Sequence, residues 1–298
     1  MAFTRRKMLA MAGAMAGVGP GRAQEALDLT LSGPLVQGGS VIGRTAPDAA
    51  VTLDGIDIRA DTRGRFFLGF DRDAPGTARL GIADGAGRSL RRDLAVAPRT
   101  YQTQTVAGLA RGLDLFEDIP IDDEVASFER SLHGADRAAL RRRVQDELAL
   151  KQAAFASRSS QTGFADTFQA PAKGRLSSPW GAQRILVIAG HRRSGVPHYG
   201  VDIAAFSGTP VVAPASAIVA LARRDFYYEG NCIFLDHGQN LISVYLHLSD
   251  IAVREGDTVA AGTEIGKIGR SGRATGPHLC WRMKWRGRHV DPSLLVQL

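Results

Sequence analysis

The chain is poor in cysteine, in aromatic residues and in long apolar runs. Two cysteines among 298 residues are too few for a disulfide framework. Beyond the first 23 residues, no segment reaches the 18 consecutive apolar residues of a membrane-spanning helix, so we expect no stable membrane span. Aromatic residues make up only 7%, whereas glycine occurs 34 times. This composition is typical of a globular chain with many turns and short strands.

The positive charge gives little support for a nucleic-acid partner. The formal net charge is +7, but four basic residues and no acidic residue lie within residues 1–23, so the remainder carries +3. Bulk charge of this size does not indicate nucleic-acid binding, and we expect none.

Residues 1–23 have the pattern of an export signal. A basic head, Arg5-Arg6-Lys7, precedes an apolar stretch from Met8 to about Val18, and small residues follow. The pattern predicts a secretory signal peptide rather than a helix of the mature fold. Thr4-Arg5-Arg6 precedes a weakly apolar, Ala/Gly-rich stretch and resembles a twin-arginine signal. The twin-arginine pathway exports proteins that have already folded. We therefore expect a periplasmic or secreted protein.

The following residues predict a mainly β fold in three parts. Residues 26–98 contain short alternating runs, with a hairpin around Asp54-Gly55, and predict a small β-sandwich without catalytic residues. Residues 122–158 predict a helical connector, and residues 157–172 are polar and predict a linker. Residues 174–298 return to short Gly- and Val-rich strands and predict an antiparallel β domain. The connector's apolar stripe comprises Leu140, Val144, Leu148 and Phe155.

Chemically active residues concentrate in this last part, where five of the seven histidines lie between residues 191 and 278. His198 and Asp202 are four residues apart, which on a straight strand separates them by roughly 13 Å. They can share a metal only if the chain turns between them, and Gly200 permits a turn. His278 and Cys280 lie on one face of a strand, roughly 7 Å apart, so one can bind a metal beside the other.

Four motifs occur in a specific order. His198-x-x-x-Asp202 comes first, then Tyr245-Leu-His247-Leu, then a Gly256-Asp-x-Val turn and finally Thr275-Gly-Pro-His278-Leu. Together they resemble the lysostaphin/LytM-type zinc endopeptidases, over about Gly174 to Pro292. The resemblance implies a compact, mainly antiparallel β domain that cuts peptide bonds in peptidoglycan stems or cross-links.

The resemblance also implies roles for individual residues. His198 and Asp202 would be ligands of Zn²⁺, and His247 and His278 the catalytic histidines that do not bind the metal. One histidine would take a proton from a zinc-bound water and the other would stabilise the oxyanion. The sequence does not assign the two roles between them.

Cys280 departs from the family pattern, which ends in His-x-His and has the third ligand at this position. Three interpretations remain open. Cys280 binds zinc as a thiolate, which would give a second anionic ligand and a weaker Lewis acid. Alternatively, Cys280 forms a disulfide with Cys232, or the site is inactive.

These alternatives give two hypotheses for function. The first is an exported peptidoglycan endopeptidase with Cys280 as the third zinc ligand. The second is a non-catalytic domain of the same fold that binds the cell wall or regulates a cell-wall amidase. Trp281 and Trp285 alternate with Arg282 and Lys284, which predicts one packed and one charged face on the last long strand.

Overall fold

A computed structural model describes residues 27–106, 134–188 and 191–297. The predicted signal peptide, residues 1–23, lies outside these residues, and so does the segment 122–133 of the predicted connector. The mainly β fold class is confirmed, since strands dominate the described chain. Among the described residues, no helix is long and apolar enough to cross a membrane. The domain boundaries remain a prediction.

The N-terminal part forms two antiparallel sheets of three and four strands, ordered β1-β2-β5 and β4-β3-β6-β7. The hairpin expected at Asp54-Gly55 joins β3 to β4, and both residues have positive φ (52° and 82°), as a tight hairpin turn requires. The seven strands are β1 (Thr30–Ser32), β2 (Ser40–Arg44), β3 (Ala50–Leu53), β4 (Ile56–Arg59), β5 (Arg65–Gly69), β6 (Thr77–Ala83) and β7 (Ser89–Ala95).

A small three-stranded sheet lies next in the chain. Strand β8 (Thr103–Val106) runs parallel to β10 (Gln183–Ile188), which forms a hairpin with β11 (His191–Ser194). Between β8 and β10 in sequence lie the helix α1 (Gly134–Phe155) and β9 (Arg175–Ser178).

The C-terminal part is a ten-stranded sheet whose main path runs β17-β14-β15-β16-β19-β12-β9. Strand β18 pairs with β13 and β16, and β20 pairs with β19. Besides β9, the strands are β12 (Gly200–Ala204), β13 (Pro210–Val212), β14 (Ala217–Phe226), β15 (Gly230–Asp236), β16 (Leu241–Ile251), β17 (Thr258–Val259), β18 (Glu264–Ile268), β19 (His278–Trp285) and β20 (Arg288–Val290).

The two faces of this sheet pack against different partners. One face, which includes Trp281 and Trp285, joins the core of the N-terminal sheets; the rings of Phe67 and Trp285 are 6.0 Å apart. The opposite face carries Cys280 and Leu246 and packs against Ala154 of α1. The face predicted as packed is therefore the one that meets the N-terminal sheets.

Two sequence-based expectations need correction. The predicted linker 157–172 is packed rather than free, because Phe164 and Phe168 supply enough apolar surface to bury it against the sheet. In α1, the predicted stripe of Leu140, Val144, Leu148 and Phe155 is only half-buried. Among the helix side chains that the structure describes, the buried ones are Glu147, Lys151 and Ala154. Two of them are charged, and paired charges can be buried where unpaired ones cannot.

Candidate metal centre

The pairing of β12 with β19 brings the three predicted ligands together. Asp202 lies directly opposite Cys280 in the antiparallel register. One donor atom from each of His198, Asp202 and Cys280 lies within 4.8 Å of the others, a geometry that could hold a metal ion. His198 Nε2 is 3.3 Å from Asp202 Oδ1 and 3.5 Å from Cys280 Sγ.

His198 reaches this cluster because it precedes the strand rather than lying on it, since β12 begins only at Gly200. Gly200 also has a steric role, which the spacing of His198 and Asp202 in the sequence did not predict. A Cβ at this position would lie 2.8 Å from Arg282 Cγ and 2.9 Å from Cys280 Sγ, closer than real Cβ contacts. The glycine therefore leaves the space that the Cys280 side chain occupies.

Two side chains fix the orientation of the His198 ring. Ser178 Oγ donates to Gln104 Oε1 at 3.1 Å and lies 3.0 Å from His198 Nδ1. Because the Ser178 proton goes to Gln104, His198 donates its Nδ1–H to Ser178 Oγ. The Nε2 lone pair then points at Asp202 and Cys280, as a metal ligand requires.

Asp202 is ionised. Burial alone would raise its pKa, but the positive charges that His198 and then His278 carry when protonated, together with Arg184, hold the pKa well below the usual range. Its Oδ1 is a buried atom that accepts no well-aligned hydrogen bond from any described residue. A buried carboxylate oxygen without a hydrogen bond is costly unless a cation completes its surroundings.

Cys280 is a buried free thiol, and so is Cys232. The disulfide expected as one alternative is therefore not formed. Burial raises the pKa of Cys280 to about 12, although Arg282 works in the opposite direction. The Nε–H of Arg282 donates to Cys280 Sγ at 3.3 Å. Without a metal, the sulfur remains protonated at neutral pH.

His247 and His278 lie beside the three donors, with ring centroids 4.8 Å apart. Each donates its Nδ1–H to a carbonyl oxygen, His247 to Ser271 at 3.0 Å and His278 to Gly276 at 2.8 Å. In the neutral state both rings thus carry a lone pair on Nε2. His278 Nε2 lies 3.8 Å from Asp202 Oδ1.

The backbone at His247 is strained. Its φ is 65°, in a β-bulge where two residues of β16 oppose one residue of β15. Such a φ is uncommon for a residue with a side chain and often occurs at functional sites. Burial and then the neighbouring His278 lower the pKa of His247 to about 4, so its ring is neutral at pH 7.

Comparison with known proteins agrees with this geometry. The model of peptidase family M23 matches residues 196–292, which contain all five predicted site residues. Residues 196–292 are therefore similar to peptidase family M23, and we call this segment the M23 domain. A solved M23 peptidase structure from Pseudomonas aeruginosa superposes with a TM-score of 0.60, 26% identity and coverage of 88% of this chain and 95% of that one.

Curated relatives match about 40% of this chain. The peptidoglycan DD-endopeptidase ShyA of Vibrio cholerae is 38% identical over 119 residues, which is 40% of this chain and 27% of that protein. The DD-carboxypeptidase/endopeptidase Mpg of Neisseria meningitidis is 36% identical over 118 residues, 40% of this chain and 26% of that protein. The chain thus spans about a quarter of the length of these relatives.

Several residues around the M23 site were missed from the sequence. Gln104 and Ser178 lie outside the matched segment, and no sequence pattern connects them to His198. Arg282 could have been found, because residues two apart on a strand share a face and Cys280 was already a candidate. It was expected on a charged outer face, but Arg282 is buried.

Proposed function

We propose that the chain is an exported zinc metalloendopeptidase that cuts peptide bonds in peptidoglycan. One observation carries this proposal: an imidazole, a carboxylate and a thiol converge within 4.8 Å, and two further histidines lie beside them. Residues brought together from three separate motifs, with their lone pairs directed inward, form a metal centre rather than a packed core.

The donor set fits zinc. Nitrogen, oxygen and sulfur ligands in a three-residue set with an open position are typical of catalytic zinc sites. His198 Nε2, Asp202 Oδ1 and Cys280 Sγ would hold the ion, and it would satisfy the Asp202 oxygen that accepts no well-aligned hydrogen bond from the described residues. The thiol would lose its proton on binding, as thiol ligands do.

Zinc held there would supply a water of lowered pKa and polarise the scissile carbonyl. His247 and His278 act on the protons of the reaction. Their carbonyl partners hold Nδ1–H in place, so each ring can accept a proton at Nε2. Once protonated, that same atom donates a hydrogen bond to a developing oxyanion. His247 is neutral at pH 7, so its Nε2 lone pair is free to accept a proton.

The relatives support the substrate class, because ShyA is named a peptidoglycan DD-endopeptidase and Mpg a DD-carboxypeptidase/endopeptidase. The predicted signal peptide at residues 1–23 agrees with a substrate outside the cytoplasm. Peptidoglycan would then be the partner, in the periplasm or outside the cell.

Digestion of purified sacculi tests the proposal. The mature protein with one equivalent of zinc should release new peptide termini, and a chelator should stop the release. His278→Ala should abolish the release while the chain remains folded and retains zinc. Absence of new termini with the zinc-loaded protein would refute the enzymatic function.

Cys280 supports a second candidate, a non-catalytic domain that binds the wall or regulates an amidase. A buried thiol whose pKa is raised to about 12 resists the deprotonation that zinc binding requires. Under this alternative, the protein binds sacculi without cutting them and changes the rate of an added amidase. The digestion experiment separates the two candidates.

A further inference from the structure

A cleft of about 450 Å³ lies between the end of α1, the β19–β20 hairpin and β4. Three cationic side chains line it, and no acidic side chain does. The remaining lining includes apolar side chains. The cations are Arg158, Lys284 and Arg286, and the apolar residues are Ile56, Phe155 and Ile242.

Arg286 lies in the turn of the β19–β20 hairpin, where its backbone adopts a strained conformation. Its φ is 46°, and the following Gly287 has a φ of 85°. Two successive positive φ angles define the tight hairpin turn in which Asn-Gly is the preferred pair. An arginine in the first position is strained, and strain of this kind is often kept for a functional side chain.

One of the N–H donors of the Arg286 guanidinium also lacks a hydrogen-bond partner among the described residues. This donor is the Nε–H, which is buried. Burial and then the nearby Arg158 lower the pKa of Arg286, while Asp57, an exposed residue, acts against them. A buried donor beside other cations indicates that an anionic acceptor belongs in the cleft.

The end of α1 explains only one of these three cations. Asn240 Nδ2 donates to the carbonyls of Phe155 and Ser157, and Arg158 also donates to Ser157. Lys284 Nζ lies 4.7 Å from the centre of the Phe155 ring. The helix C-terminus therefore accounts for Arg158 but not for Arg286, whose guanidinium lies 5.9 Å from the centre of the Trp285 ring.

We propose that this cleft binds a carboxylate on an apolar stem, as carried by acidic residues of wall peptides. Arginine forms bidentate hydrogen bonds with carboxylates, and the apolar walls suit the methylene groups behind the carboxylate. A strongly hydrated phosphate would leave those walls without a partner. The ligand class rests on the proposed function.

The cleft and the metal centre share one face of the sheet. Lys284 follows Cys280 by four residues on β19, an even spacing that keeps both on the same face, roughly 13 Å apart. A polymer bound at the cleft would thus be held near the metal centre. This arrangement makes the cleft an exosite, which raises the local concentration of substrate without taking part in the chemistry.

Arg286→Asn is the decisive variant. Asparagine suits a positive φ before glycine, so the variant should unfold at the same temperature as the wild type or higher. Its affinity for purified sacculi, measured by co-sedimentation in a chelator so that no cutting occurs, should fall by about tenfold or more. Arg91→Gln removes an exposed cation from the N-terminal part and should leave binding unchanged.

A small probe identifies the ligand chemistry. In an NMR titration of the full chain, N-acetyl-glutamate methylamide should shift the amide signals of Gly287 and Gln152, and the glutamine analogue should not. Unchanged sacculus binding by Arg286→Asn would overturn the inference. Shifts with inorganic phosphate alone would overturn the carboxylate assignment. Because chelated protein is used, loss of this binding is distinguishable from failure of the proposed catalytic function.

Discussion

Lys151→Met should be one of the most destabilising single changes in α1. Lys151 Nζ lies 2.5 Å from Glu229 Oε1, and the two side chains are only 7% and 4% exposed. The other oxygen, Glu229 Oε2, is buried without a hydrogen-bond partner among the described residues. Removing the lysine leaves a buried carboxylate without its counter-ion, which costs about 3–5 kcal/mol.

An exposed pair provides the matched control. Arg224 and Asp250 meet at 2.8 Å, but their side chains are 53% and 52% exposed. Solvent screens this pair, so Arg224→Met should cost about 0–1 kcal/mol. The similar distances make burial the main difference between the two pairs.

Urea unfolding of the metal-free mature protein, followed by circular dichroism, measures both costs. The double variant Lys151→Met, Glu229→Leu should recover most of the lost stability, because it removes the unpaired charge. A loss below about 1 kcal/mol for Lys151→Met, or no recovery in the double variant, would refute the reasoning. The carbonyl of Glu229 accepts the His247 N–H at 2.9 Å, so this pair also supports the strained backbone of the site.

Three further predictions concern the M23 domain. Gly200→Ala places a Cβ 2.9 Å from Cys280 Sγ and should reduce zinc per chain, measured by elemental analysis, whereas Gly85→Ala, with nothing within 4 Å, should not. Cys280→Ser should lose zinc and Cys280→His should retain it; equal zinc in both would show that position 280 is not a ligand. Burial, the largest influence, lowers the pKa of His237 from 6.5 to about 4, so unfolded chains bind more protons between these values. Stability should therefore be complete above pH 6.5 and lower by about 2.5 kcal/mol at pH 4.5, and His237→Gln should flatten that slope in urea unfolding.

The sequence by itself determined the mainly β class and the identity of the candidate site. Strand alternation and the Asp54-Gly55 turn are local properties, since side-chain direction and positive φ depend on neighbouring residues alone. The five candidate site residues, His198, Asp202, His247, His278 and Cys280, were likewise found from short motifs. The structure places all five together.

Only the tertiary structure decided how these residues are supported. The register of β12 against β19 sets the space beside Gly200, the bulge at His247 sets its φ, and Gln104 reaches Ser178 from a distant strand. The buried pair of Lys151 and Glu229 joins residues 78 positions apart. Contacts between distant segments depend on how whole elements pack, and no local pattern encodes that packing.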